Sequence, residues 1–297
     1  MNEKERTLLH YVCNGDLKKA QQEARLILES LTSKKDERMK ENLLKTLDSK
    51  KGKFIELPYN IKDLLLAEDV SNFVEEKYLL REEEKQYVDK IIGIRKISEK
   101  LGNLGISYVP SLMLYGESGT GKTMLARYIA YKADLPFIYV KFSNMVSSYL
   151  GSTQSNISKV FEYARTSPCV LCFDEIDAVG MARGQNNDVG EMNRIVIALM
   201  QELDNLPNDV IFVGTTNRFD RLDDALIRRF TMKYEVKKLD KSDIIELVKR
   251  FFEYSCNYKN DKEIENWCNV KFDATESAST VVNSCISEIV NRYISEI

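Results

Sequence analysis

The sequence predicts an α/β fold in which a parallel β-sheet carries helices on both faces. Three observations predict it. Strand-like runs alternate with helical patterns from about residue 111 to 238, the order that crossover helices between parallel strands require. Three of those runs are almost wholly apolar, as strands buried on both faces should be. A glycine-rich loop directly follows the first run and opens a helical pattern.

That loop is Gly116-Glu117-Ser118-Gly119-Thr120-Gly121-Lys122-Thr123, and it fits G-x-x-x-x-G-K-[ST] at every fixed position. The run 112–115 reads as the strand before it. Met124 follows, with Leu125, Ala126, Ile129, Ala130 and Ala133 spaced for one apolar helix face. Strand, loop and helix are the context in which this motif cradles phosphates. Its glycines let the backbone approach a phosphate chain that a Cβ would block. The loop N–H groups and the helix N-terminus present partial positive charge. Lys122 adds a full charge for the β/γ-phosphates, and the Thr123 hydroxyl is a ligand for Mg²⁺. The fold is thus expected to be that of a P-loop NTPase, with a nucleoside triphosphate and Mg²⁺ as cofactors.

The other elements follow in order. Residues 1–64 read as a separate N-terminal helical module. Leu8, Leu9, Tyr11 and Val12 form an apolar patch ending at Gly15, and Asp16 stands as an N-cap. Leu17, Ala20, Ala24, Ile27, Leu28 and Leu31 form a helical stripe suited to docking a partner. A charge-rich helical stretch follows at 34–53, with Gly52 and Pro58 marking its end. Residues 65–110 read as a strand or loop and then helices. The five expected core strands are 112–115, 137–141, 170–173, 210–214 and 233–236. Residues 239–297 form a small helical appendage with three helical patterns.

Composition excludes several classes. The 297 residues include 43% hydrophobic and 30% charged residues, an ordinary globular balance, and no run approaches a membrane span. No signal-peptide core follows Met1, so a cytoplasmic location is expected. A net charge of −3 gives no basic field for nucleic acid. The single histidine, His10, excludes His-based metal clusters and argues against a Ser-His-Asp triad. Cys169 and Cys172 make a C-x-x-C, but inside an apolar run, so they read as buried strand residues.

Asp174 and Glu175 directly follow the third apolar strand. A carboxylate at such a strand tip, beside the phosphate loop, holds Mg²⁺ through water, the role assigned to Asp174. Glu175 is the candidate general base for an attacking water. Asn217, at the end of the next strand, is a candidate for positioning that water. A guanine-specifying N-K-x-D is absent. Arg228 and Arg229 precede Phe230; in a ring, one such arginine reaches the neighbour's γ-phosphate.

Taken in order, GESGTGKT, CFDEID, GTTNR and DDALIRRF resemble the AAA family of ATPases, within the AAA+ class. The resemblance covers about 111–238, and the helical tail resembles the family's lid. It implies 65–238 as the large α/β ATPase subdomain, 239–297 as the small lid subdomain, and a ring, usually a hexamer, that hydrolyses ATP at subunit interfaces. It makes Lys122 and Thr123 the Walker A pair, Asp174 and Glu175 the Walker B pair, and Asn217 sensor 1. Arg228 and Arg229 become arginine-finger candidates, with Arg229 preferred; here they are adjacent, where the family separates them. Tyr149, Leu150 and Gly151 resemble the aromatic–hydrophobic–Gly pore loop, and the polar run at 184–190 is a candidate for a second one. The segment 199–204 resembles the helix end that signals between subunits. Ser277 and Ala278 loosely match the family motif that approaches adenine.

A narrower resemblance rests on the run 188–194, on Arg-Arg-Phe and on Asn14-Gly15-Asp16. These are similar to a bacterial and phage-borne AAA subgroup encoded beside subtilisin-like serine proteases, some of which act in antiviral defence. It implies a serine protease partner in trans, beside a protein client. The expected function is therefore an ATPase that remodels or threads a polypeptide. The alternatives are a nucleotide-gated assembly switch that docks an effector, and a nucleic-acid-directed AAA+ machine.

Overall fold

The computed structural model describes residues 3–13, 17–30, 40, 57–59, 61–106, 108–141, 145, 152–179 and 189–295. The chain divides into two compact units, Met1–Phe54 and Ile55–Ile297. In the first, α1 (Glu3–Cys13) packs against α2 (Leu17–Ser30). Ala20 and Leu28 of α2 are buried and Ala24 and Ile27 half-buried, so these four lie on one helix face, while Leu31 and the charge-rich stretch at 34–53, apart from Lys40, lie outside the described residues. Asn14, Gly15 and Asp16 lie outside the described residues.

The second unit begins earlier than the sequence boundary at 64. Ile61 and Leu65 are buried in the same apolar cluster as the sheet, with Leu57 packed against it. The described residues between 57 and 65 therefore belong with the α/β unit, because Leu57, Ile61 and Leu65 complete its core. The elements are β1 (Leu66–Glu68), α3 (Glu82–Lys96), α4 (Ser98–Asn103), β2 (Ser111–Tyr115), α5 (Lys122–Ala133), β3 (Phe137–Lys141), α6 (Ser152–Thr166), β4 (Val170–Asp174), α7 (Val189–Asp204), β5 (Ile211–Thr216), α8 (Asp224–Ile227) and β6 (Met232–Glu235). The six strands are ordered β1-β3-β4-β5-β2-β6. All neighbouring pairs are parallel except β1 with β3, which closes one edge antiparallel.

Strand alternation divides the core between the two faces. Met113, Ile138, Val140, Leu171, Phe173 and Phe212 face α6 and α7. Leu112, Leu114, Val170, Cys172, Ile211 and Val213 lie in the second cluster, with α3 and α5. Cys169 and Cys172 fall in different clusters, because positions three apart on a strand face opposite ways. Burial pushes the Cys169 thiol up to about 12 and that of Cys172 well above its ordinary value, as an inert core pair requires.

Gly214, in the middle of β5, has a specific packing reason. A Cβ there would lie 2.8 Å from Phe230 Cζ and 3.3 Å from the Met113 methyl carbon. Phe230 is buried and also meets Phe212 at 5.5 Å between ring centroids, so it has little room to retreat. Gly214→Ala is expected to destabilise the unit by about 1–3 kcal/mol through overpacking. Chemical denaturation of the two proteins side by side checks this.

The chain then forms β7 (Leu239–Asp240), α9 (Lys241–Cys256), α10 (Asp261–Lys271), β8 (Thr275–Glu276) and α11 (Ala278–Ser295). Ile244, Leu247, Val248, Phe251 and Phe252 of α9 pack with Ile264 and Cys268 of α10 and Val281 and Cys285 of α11. Asp240 and Asn260 cap α9 and α10, accepting from the amides of Asp243 and Glu263. Antiparallel pairing of β7 with β8 holds the start of α11 beside the segment leaving the sheet. No helix among the described residues is long and apolar enough to cross a membrane.

Candidate nucleotide site

The C-terminal ends of β2, β4 and β5 lie side by side. Tyr115 is in register with Thr216, and Phe173 with Gly214, which brings Asp174 level with Thr215. Ligands of open α/β sheets bind at this edge. A cavity of about 600 Å³ opens there, lined by the loop residues 118–124 and by Asp174, Glu175 and Asn217. Its lining also includes Tyr78, Leu79, Leu247, Phe251 and Val282, next to the charged Lys77, Arg81 and Glu84. The cavity thus combines charge and hydroxyls with apolar surface suited to a flat ring.

The loop is built as its sequence requires. Gly121 precedes α5 with φ 104° and Gly119 has φ 76°, both in the left-handed region that favours glycine. Gly119 has a second constraint. A Cβ there would collide with Ser279 Oγ, and the Ser279 amide donates to the Gly119 carbonyl at 3.0 Å. The first turn of α11 therefore rests directly on the phosphate loop. Lys238 adds a tie, its ammonium lying 2.6 Å from Glu117 Oε2.

Lys122 is buried, and its Nζ donates to the carbonyls of Gly116 at 2.9 Å and Glu117 at 2.7 Å. Burial lowers its pKa, opposed by the charges of Asp174 and Asp177. A buried ammonium bonded to neutral carbonyls, at the mouth of a helix N-terminus, matches a polyphosphate. Gly116 and Glu117 contribute those carbonyls and do not line the cavity.

The Asp174 carboxylate is surrounded by hydroxyls. Oδ1 accepts from Thr215 Oγ1 and lies 3.5 Å from Thr123 Oγ1. Oδ2 accepts from the Tyr139 phenol at 2.7 Å. Burial, then the hydrogen bond to Asp174, pushes the Tyr139 phenol well above its ordinary value. Oxygen donors only, with few protein ligands, suit Mg²⁺, which fills the rest of its octahedron with phosphate oxygens and water. Among the described residues, no group of three or more His, Cys, Asp and Glu forms a cage for another metal. Thr123 and Asp174 would hold Mg²⁺, which when bound neutralises charge on the phosphates.

Glu175 follows at φ 55°, a left-handed conformation that is uncommon for a side-chain-bearing residue. Asn217 leaves β5 between two fixed points. Thr216 Oγ1 donates to Asp177 Oδ1 at 2.6 Å and accepts from the Arg218 amide at 2.9 Å. Phe219 stacks on Tyr115 at 4.2 Å between ring centroids, so this turn is braced against the residue before the phosphate loop.

The remaining sequence-derived residues are distributed differently. Ala278 lines the cavity and Ser277 does not. The Ser277 hydroxyl instead accepts from the Thr280 amide at 3.1 Å, so it caps α11, and Ser279 takes the cavity-facing place. Arg228 and Arg229 are exposed and lie away from the cavity. The Arg229 carbonyl accepts from Ser111 Oγ, at the opposite end of β2 from the loop, and its Nε pairs with Asp204 at 2.9 Å. Tyr149, Leu150 and Gly151, and residues 184–188 of the second loop, lie outside the described residues. Sequence reasoning missed Tyr139, Ser279 and the apolar part of the lining. A phenol two residues before the end of a strand next to Asp174 was the one available signal.

The sheet order, loop and acidic strand tip together define a phosphate-loop nucleotide-binding domain. Residues 112–238 match the family described as "ATPase family associated with various cellular activities (AAA)". Residues 112–238 therefore match the ATPase domain of that family. It is 36% identical over 216 residues to the peroxisomal ATPase PEX6 of Komagataella pastoris, covering 65% of this chain and 18% of that protein. It is 43% identical over 121 residues to PEX6 of Homo sapiens, covering 39% of this chain and 12% of that protein. It is 35% identical over 197 residues to the ATP-dependent zinc metalloprotease FtsH 3 of Phytoplasma mali, covering 64% of this chain and 33% of that protein. The chain thus spans a third or less of the length of these relatives.

Proposed function

We propose that the chain is an ATP-hydrolysing subunit of a ring whose every site is completed by a neighbouring copy, and that turnover remodels or threads a protein client. The observation that carries this reading is the place of Arg229. It is anchored beside Ser111, while the phosphate loop leaves β2 after Tyr115, roughly 13 Å further along the strand. An arginine there serves the phosphates of another subunit. Lys122 and the loop amides hold the triphosphate, Thr123 and Asp174 hold Mg²⁺, Glu175 takes the proton of the attacking water and Asn217 orients that water. The contact of Ser279 with Gly119 supports coupling between nucleotide state and the helical lid.

In this reading Tyr149, Leu150 and Gly151 grip the client in a central pore. The relative FtsH 3 is an ATP-dependent zinc metalloprotease. In this reading, proteolysis linked to the motor is the role of a partner protein. We assign that role to a subtilisin-like serine protease, in cytoplasmic anti-phage defence.

The test is assembly-dependent turnover. The rate of phosphate release per subunit should rise steeply with protein concentration, in step with ATP-dependent assembly seen by light scattering. A rate per subunit that stays constant down to dilute monomer overturns the shared site. Stimulation by unfolded protein but not by DNA supports a protein client, and loss of that stimulation in Tyr149→Ala separates threading from a nucleotide-gated switch.

A further inference from the structure

The Walker residues leave one oxygen of Asp174 unexplained. Oδ1 is the atom shared with Thr215 and facing Thr123. Oδ2 is taken by Tyr139, 2.7 Å away on the neighbouring strand. A carboxylate carries two equivalent oxygens on a rotatable bond, so which oxygen faces the cation depends on what the other one is bonded to. The phenol is itself fixed. β3 pairs with β4 in parallel register, Tyr139 opposite Cys172 and Lys141 opposite Asp174. Its ring packs against the buried cluster of α5 and β4, 6.4 Å from the Phe137 ring. The neighbouring Arg127 is already committed, bonded to both oxygens of Glu68 at 2.6 and 2.9 Å. Tyr139 is therefore the donor that fixes Oδ2.

We propose that Tyr139 is a positioning residue for the divalent cation, its phenol holding Asp174 in the rotamer that offers Oδ1 to Mg²⁺ arriving with the nucleotide. This rests on the reading of Asp174 as a magnesium-binding carboxylate. The hydrogen bond does two things. It locks the carboxylate torsion before the cation arrives, and it neutralises part of the charge on the oxygen that faces away. Partners that orient a metal ligand in this way typically govern metal affinity by about 10–100-fold.

The test is the Mg²⁺ dependence of binding a fluorescent ATP analogue, with no turnover required. Tyr139→Phe removes the hydroxyl and keeps the ring. It is expected to raise the Mg²⁺ concentration for half-maximal tight binding about 10-fold, with affinity in EDTA unchanged. An unchanged Mg²⁺ midpoint in Tyr139→Phe overturns the role of Tyr139. So does an equal loss of affinity with and without Mg²⁺, which would mark the phenol as structural. If Mg²⁺ does not tighten binding to the unsubstituted chain, the magnesium reading of Asp174 fails and this proposal fails with it.

Discussion

Glu175→Gln is expected to bind ATP as the unsubstituted protein does and to lose about 10²–10⁴-fold in turnover, the contribution of a positioned general base. The substitution keeps the shape and the hydrogen-bonding reach of the side chain. It removes only the capacity to accept a proton. Glu175 stands at φ 55°, a conformation that costs roughly 1–3 kcal/mol at sites like this. The turn after β4 thus presents the side chain beside Asp174 and Asn217 at the wall of the cavity. Glutamine pays the same backbone cost, so the fold is not expected to change. Phosphate release and fluorescent-nucleotide binding measured on one preparation check both halves. Turnover at the unsubstituted rate would overturn the base assignment. The same variant, locked with ATP, is the natural bait for a client or protease partner.

Arg229→Ala should lower ATP hydrolysis by about 10³–10⁵-fold, the range for an arginine finger, with nucleotide affinity little changed. Lys122→Ala should fail for the opposite reason, since it loses the buried ammonium that meets the phosphates. Mixing the two is the decisive experiment. An Arg229→Ala subunit retains an intact phosphate loop, and a Lys122→Ala neighbour retains its arginine. Interfaces that join the two complete one site, so a mixture regains part of the activity that neither protein has alone. A mixture as inactive as its components overturns trans catalysis by Arg229. Repeating the mixture with Arg228→Ala distinguishes the adjacent arginines. Arg229 forms an ion pair with Asp204, at the end of α7, a bond that has to open for the guanidinium to meet a phosphate.

Much of the fold was legible in the sequence because its strongest signals are local. The runs around Leu112, Val170 and Ile211 are apolar without alternation, and they become strands covered on both faces. The loop was legible because Gly119 and Gly121 must adopt φ values that other residues avoid. What was not legible depends on contacts between distant segments. Ser277 and Ser279 are chemically alike and two residues apart, and helix phase alone sends one to cap α11 and the other to the cavity. Tyr139 reads as one more aromatic in a strand until β3 pairs with β4 and its phenol reaches Asp174 on the neighbouring strand. The boundary near 64 moved to 54 because Ile61 and Leu65 are too few to show a period, yet both fill gaps in the core. Tyr78, Leu79 and Phe251 come from distant places in the chain, and only folding assembles them into one cavity.

In the proposed ring, the packing of Phe230 over Gly214 would bear on how neighbouring copies sense one another. Phe230 follows Arg229 directly, and its ring is seated on the strand that ends at Thr216, one residue before Asn217. In the proposed ring, Arg229, offered to the next copy, and Asn217, facing the local phosphate, would thus be linked through the packing of Phe230 on Gly214. A shift imposed on that linkage at one site would reappear as a displaced guanidinium at the next. Firing order around the ring would then be set by steric linkage within each subunit, and softening the linkage at Phe230 would desynchronise the copies without altering either site's own chemistry.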